Sequence, residues 1–389
     1  MIARILRLPW LILNSLFALP IGCLIALVWA NLDPLSYFKT SHALALAVND
    51  VGMALFFGVM TKHVVEETLA GGVLHSWRRA LVPVVAAAGG VAASVAVFVV
   101  FLSFVEEPML TSAWPVTAAA DVALCFVAGG WIFGRHAAVP FLVALALASN
   151  AIGLTILALT YPARIVYAPA GVTLIVAGMI AALALRRLHT RSFWPYLLIA
   201  GSLCWAGLFL AGVHPALALV MVVPFMPHAR HDPGLLADPP AHARDTLSKF
   251  ERFWAIPVQI VLFLFGLVNA GVPLHGLESG VWALPIALFV GRPIGVLIAG
   301  ELAVRVGLYR PSDIGWRQLL VIGFVASTGF AMALFFSTGV LSTGPLLLEM
   351  KTGALLTGAG VFLAWAAARV LGLSHRGPLM AAQPQANQR

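Results

Sequence analysis

The sequence predicts an all-α polytopic membrane protein of about twelve transmembrane helices. Three observations carry that prediction. Of 389 residues, 61% are hydrophobic and only 10% are charged. A soluble domain carries about 25% charged residues, and a chain this poor in charge cannot cover a water-facing surface. The mean hydropathy of +0.98 agrees. Apolar runs of roughly 20 residues, the length that crosses a hydrocarbon core, recur along the whole chain with short polar loops between them. Finally, the basic residues alternate from loop to loop.

The runs read as 9–31, 43–67, 80–105, 115–134, 137–160, 165–185, 193–212, 214–227, 249–270, 280–304, 316–341 and 347–371. Of the 23 Lys and Arg residues, nineteen fall at the termini and in one set of alternate loops. Lys39, Arg164 and Lys351 fall in the other set, and Arg292 lies inside a span. The positive-inside rule therefore puts both termini in the cytoplasm. A wrong span count would scramble this split. The net charge of +8 thus records orientation, not affinity for nucleic acid. Arg4 and Arg7 precede a run that continues to Trp29. That run is long enough to span, so no cleaved signal peptide is expected. Cys23, Cys125 and Cys204 lie in apolar runs and read as packing residues, with no metal or disulfide spacing.

The second span carries Asp50 near its expected outer end and closes on Lys62, His63, Glu66 and Glu67. Lys62 and Glu66 are four apart and can pair on a helix. The set is either an ordinary charged helix end or a cytoplasmic, cation-attracting funnel that responds to pH through His63. Glu251, at the start of the ninth span, and His214, in GVHPALA, are further candidates for that response. His214 otherwise reads as a helix-start residue at the outer surface.

Asp121 stands in the middle of the fourth span, and an ionisable group at that depth is a functional candidate. Arg292 is its candidate partner. In the fifth span the run FLVALAL stops at Ser149, Asn150 and Gly153. The fourth and eleventh spans are both interrupted in mid-membrane. Trp114-Pro115 and the Ala-rich approach to Asp121, with Ala120, break one; Ala326, Ser327, Thr328 and Gly329 break the other. Paired interruptions point to a transport site made of two broken helices; close helix packing is the plainer reading of the small residues. Glu301 lies four before Arg305, the spacing of a helical ion pair. Residues 228–248 read as a cytoplasmic loop within a single transporter domain over 1–372, and 373–389 as a disordered cytoplasmic tail. The loop's His228, His231 and His242 have no metal-site spacing. A soluble enzyme is excluded by composition. No nucleophile–base–orienter set lies in the membrane, so the chain is not expected to be an enzyme.

Several stretches resemble the NhaA family of sodium/proton antiporters, in order and over nearly the whole chain. They are VNDVGMALFFGVM (48–60), AADVALCFVAGG (119–130), Trp205 to His214 with AGVHPALA, FGLVNAGV (265–272), GRPIGVLIAGELAVRVGL (291–308) and GFVASTGFAMALFF (323–336). The resemblance implies inverted repeats over spans three to five and ten to twelve, with spans four and eleven as crossed broken helices around a midplane ion site. It also implies a bacterial inner-membrane location, a homodimer, and a transported sodium or lithium ion with no other cofactor. Asp121 matches the family's span-four aspartate and Arg292 its span-ten lysine. The threonine usual before the aspartate is Ala120. The family's span-five aspartate pair falls on Ser149 and Asn150, and its span-two glutamate falls near His63, while Glu67 matches a second acidic position.

These departures bear on the chemistry. Ser149 and Asn150 can ligate a cation through oxygen but cannot trade it for a proton. Arg292 keeps its proton where a lysine can release one. Asp121 is then the remaining acid, with sodium expected between Asp121 and Asn150. Three readings stay open: exchange of monovalent cations for protons through an altered site, transport of an anion or neutral organic solute on the same scaffold, or a homologue that no longer transports.

Overall fold

The computed structural model describes residues 7–69, 74–134, 136–160, 167–227, 245–272, 279–311, 313–341 and 344–373, and at residues 7–17, 67 and 158 the backbone alone. Most of the expected 228–248 loop, its three histidines, and the tail beyond residue 373 lie outside the described residues. So does the side chain of Glu67. Among the described residues every regular element is helical. Seven helices are long and apolar enough to cross a membrane, or nine if each of two bent pairs is one span. Shorter apolar helices at Ala18–Leu32, Tyr196–Leu210 and Pro215–Phe225 fall where the first, seventh and eighth spans are expected. Large apolar side chains such as Ile180, Ile256 and Phe362 remain 61%, 63% and 75% exposed. A surface of that kind suits hydrocarbon, not water. This is a multi-pass membrane protein.

Local chemistry fixes several helix starts. Asp33 caps the second long helix, accepting from the Ser36 N–H, and Pro34 occupies its first turn. The helix therefore begins nine residues before the apolar run suggests and reaches from Pro34 to Glu66. Asp50 stands half-way along this helix, inside a π-helical turn over Leu46–Gly52. Ser76 caps Trp77–Val105 through the Arg79 N–H. The Gln318 side chain accepts from the Gly315 N–H and so fixes the start of Trp316–Ala326. Ser149 and Asn150 do not interrupt their helix, which runs from Ala138 to Thr160.

Two spans are broken. Pro108–Ala118, a tight 3-10 helix, meets Val122–Phe133 at 60°, and Trp316–Ala326 meets Phe330–Val340 at 54°. The second break falls at Ser327 to Gly329, as the sequence suggests. The first falls only at Ala119 to Asp121; Trp114 and Pro115 lie inside the 3-10 helix. Proline is tolerated there because the chain before it already departs from α-helical hydrogen bonding. The expected helix over 214–227 is instead three short pieces, Pro215–Leu217, Ala218–Val222 and Val223–Phe225. The pieces are continuous in sequence, α-helical at the centre and 3-10 at either end, and Pro215 and Pro224 lie in the two 3-10 turns.

The site is positioned by the contact of Trp77–Val105 with Arg292–Arg305. A Cβ on Gly90 would stand 2.9 Å from Arg292 Cδ. The absent side chain is the room through which the arginine stem runs. Gly295 lies against the Gly89 carbonyl, where a Cβ would collide with backbone. Small residues at such contacts let helices approach closely within a membrane. Gly295→Ala is therefore expected to cost about 1–3 kcal/mol through overpacking and to lower the melting temperature in detergent. Gly130→Ala, where a new Cβ meets nothing within 4 Å, is expected to leave it unchanged. Equal melting of the two variants would show that the Gly89–Gly295 contact yields freely.

Candidate functional site

Breaking a helix leaves backbone N–H groups at one new end and carbonyls at the other, each end carrying a partial charge of roughly half an elementary unit. Buried in a membrane protein, these groups must find partners. Here the two breaks meet directly: the Asp121 N–H donates to the Thr328 carbonyl at 2.7 Å. Asp121 has extended backbone at the cap position of Val122–Phe133. Its Oδ1 accepts from the Leu124 N–H at 3.0 Å, inside that half-helix. Its Oδ2 accepts from the Ala331 N–H at 3.3 Å, at the start of Phe330–Val340. One carboxylate thus faces two helix N-termini, whose partial charges together roughly balance its own.

Arg292 serves the opposite end. Its guanidinium donates to the Thr117 carbonyl at 2.5 Å and the Ala119 carbonyl at 2.9 Å, where Pro108–Ala118 stops. A third bond goes to Ser149 Oγ at 3.0 Å. The side chain is wholly buried, and Nε is its one nitrogen without a protein partner. The expected pairing of Asp121 with Arg292 is therefore corrected: no ion pair joins them. Each charge instead answers a different helix end, because a broken helix presents positive and negative ends on opposite sides of its gap.

Asn150 clamps the unwound strand between them. Its Oδ1 accepts from the Ala120 N–H at 3.0 Å, and its Nδ2 donates to the Ala120 carbonyl at 2.7 Å. The sequence-predicted residues Asp121, Ala120, Ser149, Asn150, Arg292, Ser327 and Thr328 are all brought together and all buried. Gly329 leads into Phe330–Val340. Two members escaped sequence reasoning. Thr357 Oγ1 accepts from the Phe330 N–H at 2.7 Å. Cys125 Sγ reaches the Val325 carbonyl at 3.6 Å. Neither residue type signals such a role in an apolar run; only the fold brings them to the second break.

A charged cluster forms away from the breaks. Lys62 Nζ lies 2.5 Å from Glu66 and 2.6 Å from Glu251, while His63 lies 3.8 Å from Glu66 and 3.7 Å from Glu251. Sequence spacing foresaw the first contact; Glu251 joins from another helix. Glu301 pairs with Arg310 at 2.5 Å instead of with Arg305. Its helix ends at Arg305, and the chain turns through Gly307 to bring Arg310 back. His214 does start a helix, its Nδ1 accepting from the Ala216 N–H. Its side chain is 18% exposed. Its Nε2 lies 3.3 Å from Asp50 Oδ1, and its ring packs edge-on to Phe335 at 4.7 Å. Asn49, beside Asp50, exchanges amide hydrogen bonds with Asn269 at 2.9 and 3.3 Å.

The sequence pattern of the family described as Na+/H+ antiporter 1 matches residues 17–373. Curated relatives match at similar length. The Na(+)/H(+) antiporter NhaA of Desulfitobacterium hafniense is 41% identical over 92% of this chain and 95% of its own. The Na(+)/H(+) antiporter NhaA 1 of Pelobacter propionicus is 38% identical over 91% and 96%. That of Geobacter metallireducens is 39% identical over 91% and 96%. A match over this span, joined to two broken helices whose gaps meet at Asp121 and Thr328, places the chain in the Na+/H+ antiporter 1 family.

Proposed function

We propose that the chain is a secondary active transporter that exchanges a monovalent cation, sodium or lithium, for protons across the bacterial inner membrane. The full-length family membership carries this reading, and the meeting of two half-helix pairs supports it. Twelve spans arranged as inverted repeats, three to five and ten to twelve, with spans four and eleven crossing, account for the nine long spans and three shorter apolar helices. They make one transporter domain over 1–372, with a cytoplasmic loop at 228–248 and a tail at 373–389. The distribution of Lys and Arg supports cytoplasmic termini. A homodimer in the lipid bilayer is part of the same reading. The Lys62, His63, Glu66 and Glu251 cluster fits a cytoplasmic funnel, with Glu67 and His214 as further pH-responsive groups. The ion is cargo; the transport reaction needs no resident cofactor.

The transport site is proposed around Asp121, Ser149, Asn150 and Arg292. In this arrangement Asp121 supplies fixed negative charge, and the Asn150 carboxamide oxygen has a second lone pair to offer a cation. Arg292 holds the carbonyls of the opposite helix end. A second reading has a specific observation in its favour. The Arg292 Nε–H is buried without a partner, and a buried guanidinium is suited to an anion. Reconstitution with cation gradients and, separately, organic and inorganic anions separates the two. Proton flux driven by sodium or lithium supports exchange, anion uptake without it supports the second reading, and silence to both in folded protein supports a homologue that no longer transports.

Asp121→Asn leaves two helix N-termini without their counter-charge, a loss of up to about 2 kcal/mol in a partly buried setting. It is expected to cut sodium-driven proton flux in proteoliposomes to below about a tenth of wild type, the factor that 1.4 kcal/mol represents. Undiminished flux would remove Asp121 from the transport site. Replacing Ser149 and Asn150 together by aspartate adds two carboxylates, one of them beside Arg292. That variant is expected to move more protons per cation than wild type. An unchanged ratio would show that the fifth span takes no part in coupling.

A further inference from the structure

At the two breaks the charged groups serve the helix ends. Both Asp121 oxygens accept from helix N-termini, and Arg292 holds its proton while bridging two carbonyls and Ser149. Ser149 and Asn150 cannot carry a proton. Exchange nevertheless needs a group that is protonated in one part of the cycle and gives up that proton when a cation is taken up. The described residues offer a second constellation, built around Asp50.

Asp50 stands in the π-helical turn of the 33-residue helix Pro34–Glu66, half-way along it. Such turns reorient side chains within an otherwise regular helix and frequently mark functional sites. Its Oδ1 lies 3.3 Å from His214 Nε2. The Ala216 N–H donates to His214 Nδ1, which leaves the ring hydrogen on Nε2, directed at Asp50. His214 is thereby a neutral donor; gaining a second proton would break its own helix cap. The titrating member of the pair is the carboxylate. The Trp205 indole N–H donates to the Asp50 backbone carbonyl at 3.2 Å and holds the turn in place. Asn49, in the same turn, exchanges amide hydrogen bonds with Asn269.

Access and linkage complete the case. The Asp50 and His214 side chains keep 16% and 18% of their surface exposed, whereas Asp121 is 3% exposed. The His214 ring touches Phe335, on the half-helix Phe330–Val340 whose first turn Asp121 caps. A change at Asp50 therefore reaches the broken span through two contacts. Other titratable groups on the elements packed around the pair are Tyr37, Lys39 and His42 on Pro34–Ala45 and Cys204 on Ser202–Leu210. Lys62, His63 and Glu66 lie on the same long helix about 18 Å or more away, and Lys249, Glu251 and Arg252 begin the Thr246–Asn269 helix at least about 26 Å from its Asn269 end, at 1.5 Å per residue. Phe330–Val340 carries no titratable residue.

We propose that Asp50, oriented by His214, is the carboxylate that carries the exchanged proton. The step rests on the exchange reading above. The Asp50 O–H bond breaks, its proton passes to water, and the carboxylate left behind balances the charge of one monovalent cation taken up at the transport site. Charge balances at one proton for each cation.

The test is proton release by purified wild type in weakly buffered detergent with a pH dye, on adding sodium or lithium chloride, beside Asp50→Asn and Asp50→Glu. Exchange by wild type in proteoliposomes is measured in parallel. Asp50→Asn keeps the oxygen that accepts from His214. The expected result is cation-induced release by wild type, its fall to background in Asp50→Asn with an unchanged melting temperature, and recovery in Asp50→Glu. Undiminished release by Asp50→Asn overturns the proposal and leaves exchange standing. No release and no exchange by wild type overturns the exchange reading, and this proposal with it. Should Asp50→Asn fail to fold, infrared difference spectra decide. A protonated-carboxyl band lost on adding sodium, and displaced in Asp50→Glu, supports the assignment; a band unmoved by that substitution refutes it.

Discussion

Interrupting two membrane helices at one place is the constraint from which the rest of this structure follows. Each gap exposes backbone groups that neither lipid nor a neighbouring apolar side chain can satisfy. The protein meets them with one carboxylate, one guanidinium, one carboxamide and a few hydroxyls. Asp121 spans two N-termini, and Arg292 takes the carbonyl end of Pro108–Ala118. The second gap closes more modestly. Ser327 and Thr328 hydroxyls donate to carbonyls one turn back, and Thr357 receives the Phe330 N–H. Breaking a buried charge network by removing one partner is costly because the other is left uncompensated. Asp121 and Arg292 therefore bear on stability whatever else they do.

Packing serves that electrostatic arrangement. Arg292 can reach the 3-10 helix end only because Gly90 leaves room for its stem. Gly153, on the Ala138–Thr160 helix, stands where a Cβ would meet the Phe336 ring and Ala118. The same close approach carries Ser149 to Arg292 and Asn150 to Ala120. These contacts explain how a fifth span without carboxylates still holds the site together. Hydrogen bonds from serine and asparagine replace charge–charge attraction, and the span-ten arginine spreads its charge over three acceptors.

This substitution of roles separates scaffold from carrier. In a site where the span-five groups titrate, one constellation can hold the helix ends and move protons. Here the charges at the breaks are occupied with holding the helix ends. The Asp50–His214 pair, partly exposed and joined to the broken span through Phe335, is free of that duty. Its position on a π-helical turn beside the Asn49–Asn269 amide pair gives it polar surroundings within an otherwise apolar layer.

The sequence by itself determined the class and singled out most of the buried polar residues that gather at the two breaks. Those depend on local quantities: hydropathy over about 20 residues, the alternation of Lys and Arg between loops, and rare polar residues such as Asp121, Ser149 and Arg292 in apolar runs. The Lys62–Glu66 contact was legible for the same reason, since four residues make one helical turn. Pairing across the fold was not. Arg292 was expected opposite Asp121 because unlike charges attract, yet the helix ends compete for both and win. Glu251 reaches Lys62, Arg310 reaches Glu301, and His214 reaches Asp50 from separate parts of the chain. Nothing in local spacing encodes those meetings. Tertiary structure alone decided them, because which backbone ends are left open, and which side chain stands nearest, depends on how the helices pack.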